Sequence, residues 1–147
     1  MVHETALQDG TRRIPGIMTV TLPFKMDHAT CARIQDVLSR VGDKWSMLVL
    51  MSMTGGSQRF SELRRSIDGI SQRMLTRTLR NLERDGYVKR TVIPTVPVRV
   101  DYELTKMGKS AAKPVSALGQ WAMGHLDQID GARDQFDKIN VRRSSRS

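Results

Sequence analysis

The sequence predicts a mainly helical domain carrying one small β-hairpin, an α+β arrangement, on three observations. Two short helical faces are separated by the turn Asp68-Gly69, the second running from Ser71 toward Gly86. The stretch VRVDYEL, residues 98–104, then alternates Val98, Val100, Tyr102 and Leu104 with Arg99, Asp101 and Glu103, which is the period of a half-buried strand. Beyond Thr105 a long apolar stripe recurs at spacings of three and four. Helix, turn, helix and hairpin in that order make a winged helix-turn-helix, with further helices at both ends that are expected to form a dimer interface.

The elements can be taken in turn. Residues 1–27 mix Gly, Pro and polar residues around a brief alternation in IMTVTL, and are expected to be a flexible arm with at most a short strand. Ile34, Val37, Leu38 and Val41 form a helix face that ends at Gly42. Asp43 is placed to cap a second helix, in which Trp45, Leu48 and Val49 point inward before Gly55-Gly56 stops it. Trp45 suits a core anchor better than a ligand platform. Ser61 is placed to cap a third helix, Ser71 a fourth and Thr105 a fifth. YVKRTVI has the Val and Thr content of a strand, and the prolines of PTVP require an open hairpin tip, because neither can donate to a ladder. In the last helix Val115, Leu118, Ala122, Leu126 and Ile129 line up with Trp121 beside them, and Pro114 is expected to kink the helix or divide it in two. This stripe serves either its own subunit or a second one; a chain this small needs little more core after the hairpin, which favours the second. NVRRSSRS reads as a disordered basic end. The expected organisation is therefore an arm over 1–27, a domain over 28–130 and a basic tail over 131–147.

Composition narrows the function. The 147 residues carry a formal charge of +9, and 12 Lys and Arg against 6 Asp and Glu lie between Arg59 and Lys109. Such a balance points to a polyanionic partner, nucleic acid before membrane surface. The longest apolar run, near Trp45 to Met53, is broken by Ser46 and Ser52 and is well short of the roughly 18 residues of a membrane span. The N-terminus lacks a basic segment followed by an apolar one, so a cytoplasmic protein is expected. One cysteine, three scattered histidines, and neither a Gly-rich phosphate loop nor a nucleophile elbow leave no assembled catalytic group, no metal site and no cofactor site to expect. A thiol enzyme pairing Cys31 with His28 would still need an orienting group and an oxyanion site that the sequence does not show.

ISQRMLTRTLRNLERDG, residues 70–86, is the most informative segment. Arg73, Arg77, Arg80 and Arg84 fall within about 60° of one another on a helix, with Thr76 at their edge, while Met74, Leu75, Leu79 and Leu82 occupy the other side. Four arginines with few interleaved acids repel one another, and Glu83 and Asp85 stand at the end where the helix dipole disfavours them. A solvated surface is one reading of such a face; a row of phosphates is the other.

Together CARIQDVLSRVGDKWSMLVL, RFSELRRSIDGISQRMLTRTLRNLERDGYVKR and PVRVDYELTKMGK resemble the HxlR family of bacterial winged-helix regulators, relatives of the MarR type. The marks are Gly-x-Lys-Trp at 42–45, Arg-Phe-x-Glu-Leu at 59–63, Gly-Ile-Ser-x-x-Met-Leu at 69–75 and Val-x-Tyr-x-Leu-Thr at 100–105, and the likeness covers residues 28–128. It implies a transcriptional regulator, a homodimer on a pseudo-palindromic operator in double-stranded DNA, with residues 71–84 as recognition helix and the 92–99 hairpin as wing. A winged helix used on protein or RNA is the alternative.

Groove chemistry then sorts the candidates. Ser71, Gln72 and Arg73 stand at the end of the helix that meets base edges, with Thr76 and Arg77 one turn deeper. Arg80 and Arg84 suit phosphate clamping. Arg99 either enters a minor groove, touches phosphate or is an exposed strand arginine. Val115, Leu118, Ala122 and Leu126 are the expected dimerisation residues. Cys31, just after Thr30 at the start of the first helix and near Arg33, sits where the dipole favours a thiolate. Some members of the family it resembles use a cysteine here to sense oxidants or electrophiles, so the expected effector is an oxidant acting on Cys31 or a small molecule. An unreactive, tolerated cysteine is the other reading.

Overall fold

A computed structural model describes residues 27–146, so the expected arm over 1–27 lies, apart from Asp27, outside the described residues. Five helices and a three-stranded antiparallel sheet follow in the order α1 (His28–Val41), α2 (Lys44–Ser52), β1 (Gln58–Arg59), α3 (Phe60–Ser66), α4 (Gln72–Arg84), β2 (Val88–Ile93), β3 (Arg99–Leu104) and α5 (Lys106–Ser144). The predicted mainly helical winged arrangement is the one observed.

Three of the expected caps are made. Asp43 Oδ2 accepts from the Ser46 N–H at 3.1 Å, Ser71 Oγ from the Met74 N–H at 3.1 Å and Thr105 Oγ1 from the Gly108 N–H at 3.0 Å, each satisfying a donor the helix itself leaves open. Ser61 does not cap α3. The cap lies two residues earlier, at Arg59, whose backbone N–H donates to Glu62 Oε2 at 2.8 Å. The reciprocal half of a capping box thus works without a Ser or Thr at the cap.

The core lies where α2, α3 and α4 meet, around the fully buried Leu50, Met53, Leu63, Leu75, Leu79 and Leu82. Gly69 turns the chain from α3 to α4 at φ +77°, a conformation that a Cβ disfavours. In the sheet β3 is central, paired with β2 from Val88↔Leu104 to Ile93↔Arg99 and with β1 at Gln58↔Tyr102 and Arg59↔Asp101. Tyr102 and Leu104 face the core as the alternation predicts, whereas Val98 lies in the open tip and is exposed.

Helix α5 runs 39 residues without a break, about 58 Å at 1.5 Å per residue. Pro114 therefore does not divide it. That residue and Ser110, whose carbonyl loses its helical partner, both lie on the exposed face, where water can supply the missing bond. At its start α5 approaches the sheet so closely that a Cβ on Gly108 would collide with the Tyr87 carbonyl. The basic end expected to be loose is helical as far as Ser144, and the helix leading into it carries a 3.7 Å Asp130–Arg133 contact one turn apart.

Candidate nucleic-acid interface

Helix α4 is divided lengthwise. Leu75, Thr78, Leu79 and Leu82 are buried, and Gln72, Arg73, Thr76, Arg77, Arg80 and Arg84 are exposed. The apolar half fixes the helix against α2, so the cationic half must face outward. Among the described residues none of Arg73, Arg77, Arg80 and Arg84 takes part in an ion pair. Their charges stand unneutralised on one face.

The polar residues at the start of α4 have local duties as well. Ser71 Oγ is the helix cap, Gln72 Oε1 lies 3.5 Å from an Arg64 guanidinium nitrogen, and the Thr76 hydroxyl donates to the Gln72 carbonyl at 2.9 Å. Arg64 thus reaches from α3 to the opening turn of α4.

Two findings alter the expected set of cations. Arg90 lies on β2 opposite Tyr102 and lines a shallow cleft with Thr76, Arg80, Glu83 and Tyr102, which joins the sheet to the arginine face of α4. It was not singled out from the sequence. Arg99, which was, is held by Asp101 two residues on, through Nε–Oδ1 at 2.7 Å and a second guanidinium–carboxylate bond at 3.0 Å. This fork-to-carboxylate geometry raises the Arg99 pKa and lowers that of Asp101, the hydrogen bonding between them being the main cause of each shift. The wing tip beyond it presents Val96 and Val98 rather than charge.

Helix α1 has no buried residue, and its Val37 and Leu38 are 51 % and 63 % exposed. On α5, Leu118 and Leu126 are likewise open at 53 % and 56 %, Ala122 is half-buried, and Trp121 stacks on His125 with ring centroids 4.4 Å apart. Val115 departs from the stripe proposed for dimerisation. It is 6 % exposed and belongs to the core of its own subunit, because the turns of α5 that carry Gly108, Ala112 and Val115 are pressed onto the rest of the domain.

Cys31 is half-buried in α1, with Sγ accepting from Gln35 Nε2 at 3.7 Å. Its own N–H is already bonded to the Asp27 carbonyl at 3.0 Å, and the Asp27 carboxylate caps the helix by accepting from the Thr30 N–H at 2.8 Å. Cys31 is therefore not at the start of the helix, as the sequence suggests, but its fourth residue, past the open N–H groups.

The family model described as HxlR-like helix-turn-helix matches residues 40–130. The chain belongs to the HxlR family. It is 39% identical over 101 residues to the HTH-type transcriptional regulator YtfH of Escherichia coli (strain K12), which covers 69% of this chain and 80% of that one. The solved ytfH regulator from Salmonella typhimurium superposes with a TM-score of 0.66 at 38% identity, over 69% of this chain and 90% of its own. The redox regulator HypR in its reduced form gives 0.62 at 36% identity, over 67% and 98%. Within the HxlR family the chain is a transcriptional regulator with a helix-turn-helix domain. The match begins at Arg40, near the end of α1, and ends at Asp130, within α5.

Proposed function

We propose that this regulator binds a specific pseudo-palindromic site in double-stranded DNA as a homodimer, with α4 in the major groove of each half-site. The observation that carries the reading is the unpaired row Arg73, Arg77, Arg80 and Arg84 on a helix whose opposite face is core. Helix stability does not account for such a row, and a phosphate backbone does. Gln72, Arg73 and Arg77 meet base edges, where Arg pairs with guanine and Gln with adenine. Ser71 and Thr76 shape the opening turn, and Arg80 and Arg84 hold phosphates. The bond to Asp101 supports a bracing role for Arg99 inside the wing in place of a groove contact. Electrophoretic retardation of the DNA upstream of the chain's own gene tests the reading. Retardation that survives competitor DNA is expected; free migration even at low salt would favour a winged helix that works on protein or RNA.

Arg90 joins the phosphate contacts through its place beside Arg80. Arg90→Ala is expected to weaken specific and random DNA equally, with a salt slope smaller by about one, measured by titration at several salt concentrations.

We also infer that Cys31 gives this regulator thiol control. The support is a half-accessible thiol on α1, a helix that buries no residue, and the likeness to the regulator named for redox control. Since the chain has one cysteine, a disulfide would join two subunits or a small thiol. Diamide is expected to change operator affinity, with recovery in dithiothreitol and no response from Cys31→Ser. An equal response from that variant, or none from the native protein, would leave a small-molecule effector as the means of control.

A further inference from the structure

Asp85 occupies a position that two separate effects disfavour. It closes α4 as the C-cap, where the negative end of the helix dipole opposes a carboxylate, and it follows Arg84 at the edge of a face that is to meet a polyanion. What offsets both is Arg40, from the last turn of α1, whose Nε lies 2.6 Å from Asp85 Oδ2 with each side chain 31 % exposed. Of the ion pairs among the described residues this one alone ties α1 to the reading unit; the others lie within the β2–β3 hairpin or within α5. Gly86 follows at φ +83°, and the chain enters β2 two residues later, so Asp85 sits at the joint between recognition helix and wing. Helix α1 otherwise rests mainly on α2 and buries no residue.

We propose that Arg40 and Asp85 are positioning residues: their pair fixes the angle of α4 and the wing relative to α1, and so sets specific affinity without either residue touching DNA. The inference rests on the DNA-binding reading above and adds that α1 takes part in it. If α1 lies at the subunit interface, the same pair conveys a shift of that interface to the recognition helix.

The sign of one substitution separates this role from simple charge. Removing an anion beside a DNA-binding face strengthens all DNA binding when only electrostatics acts. The positioning role predicts the reverse for Asp85→Asn: specific affinity falls about tenfold while random-sequence affinity is unchanged or higher, so the ratio between them collapses. Arg40→Gln, which leaves α4 itself untouched, should reproduce the specific loss at an unchanged salt slope, and the exchange Arg40→Glu with Asp85→Arg should recover most of it. Thermal melts of each variant ensure that folded protein is compared. A rise in specific and random affinity together for Asp85→Asn, a failed rescue by the folded exchange variant, or a salt slope lower by about one in Arg40→Gln would each overturn the proposal, the last by making Arg40 a phosphate contact. Absence of specific binding by the native protein would instead sink the DNA reading itself.

Discussion

Leu118→Glu is expected to convert the protein to a monomer and to lower its operator affinity by about two orders of magnitude or more. Leu118 stands 53 % exposed on α5 between the part pressed onto its own core and the open turns that carry Leu126. Covering a leucine of this kind stabilises an interface by roughly 1.5–3 kcal/mol, and a two-fold axis counts it twice. A glutamate there would bring two carboxylates into an apolar contact without partners, which costs several kcal/mol more by desolvation. The loss on DNA is larger than the loss of contacts, because a dimer presents its second recognition helix at a high effective concentration once the first has bound. Sedimentation velocity and operator titration on the same sample check both halves. A variant that stays dimeric would remove the Leu118 face from the interface, whatever its affinity for DNA.

Arg77→Ala is expected to weaken the specific site by about 1–3 kcal/mol and to relax base preference, while Arg84→Ala weakens all DNA alike and lowers the salt slope by about one. The contrast follows from position. Arg77 is in the second turn of α4, near the end that the proposed docking puts in the groove, and Arg84 is its last residue, where the helix would leave the duplex. Both are exposed and neither has an ion-pair partner among the described residues, so neither substitution disturbs the fold. Competition titrations with single-base operator variants and with random duplex distinguish reading from holding. Equal effects of the two substitutions on both kinds of DNA would show that the face does not divide in this way.

Legibility in the sequence followed the range of the interaction. The two faces of α4 were readable because period and chemistry change together at Leu75, Leu79 and Leu82 against Arg73, Arg77 and Arg80. The caps at Asp43, Ser71 and Thr105 were readable because a short polar side chain just before a helix acts within three residues. Arg59 was not, since it caps through its backbone and through Glu62. The two residues of β1 were also silent: Gln58 and Arg59 become a strand only because β3 offers an edge. Val115 shows the limit of periodicity, which tells that a residue is covered but not by what. Arg90 nears Arg80 through the packing of β2 on α4, a long-range event that strand alternation does not encode. The Arg99–Asp101 pair, in contrast, was within reach, because residues two apart on a strand share a face.

In the proposed complex two copies of α4 read two half-sites of one DNA site. Footprinting of the upstream DNA at single-nucleotide resolution tests it most directly. Two protected half-sites of related sequence are predicted, on one face of the duplex with centres about 34 Å apart, one helical turn, both disappearing together with Arg77→Ala. Protection without a repeated half-site, or a footprint that keeps its pattern and strength in the Arg77→Ala protein, would rule out paired reading by α4.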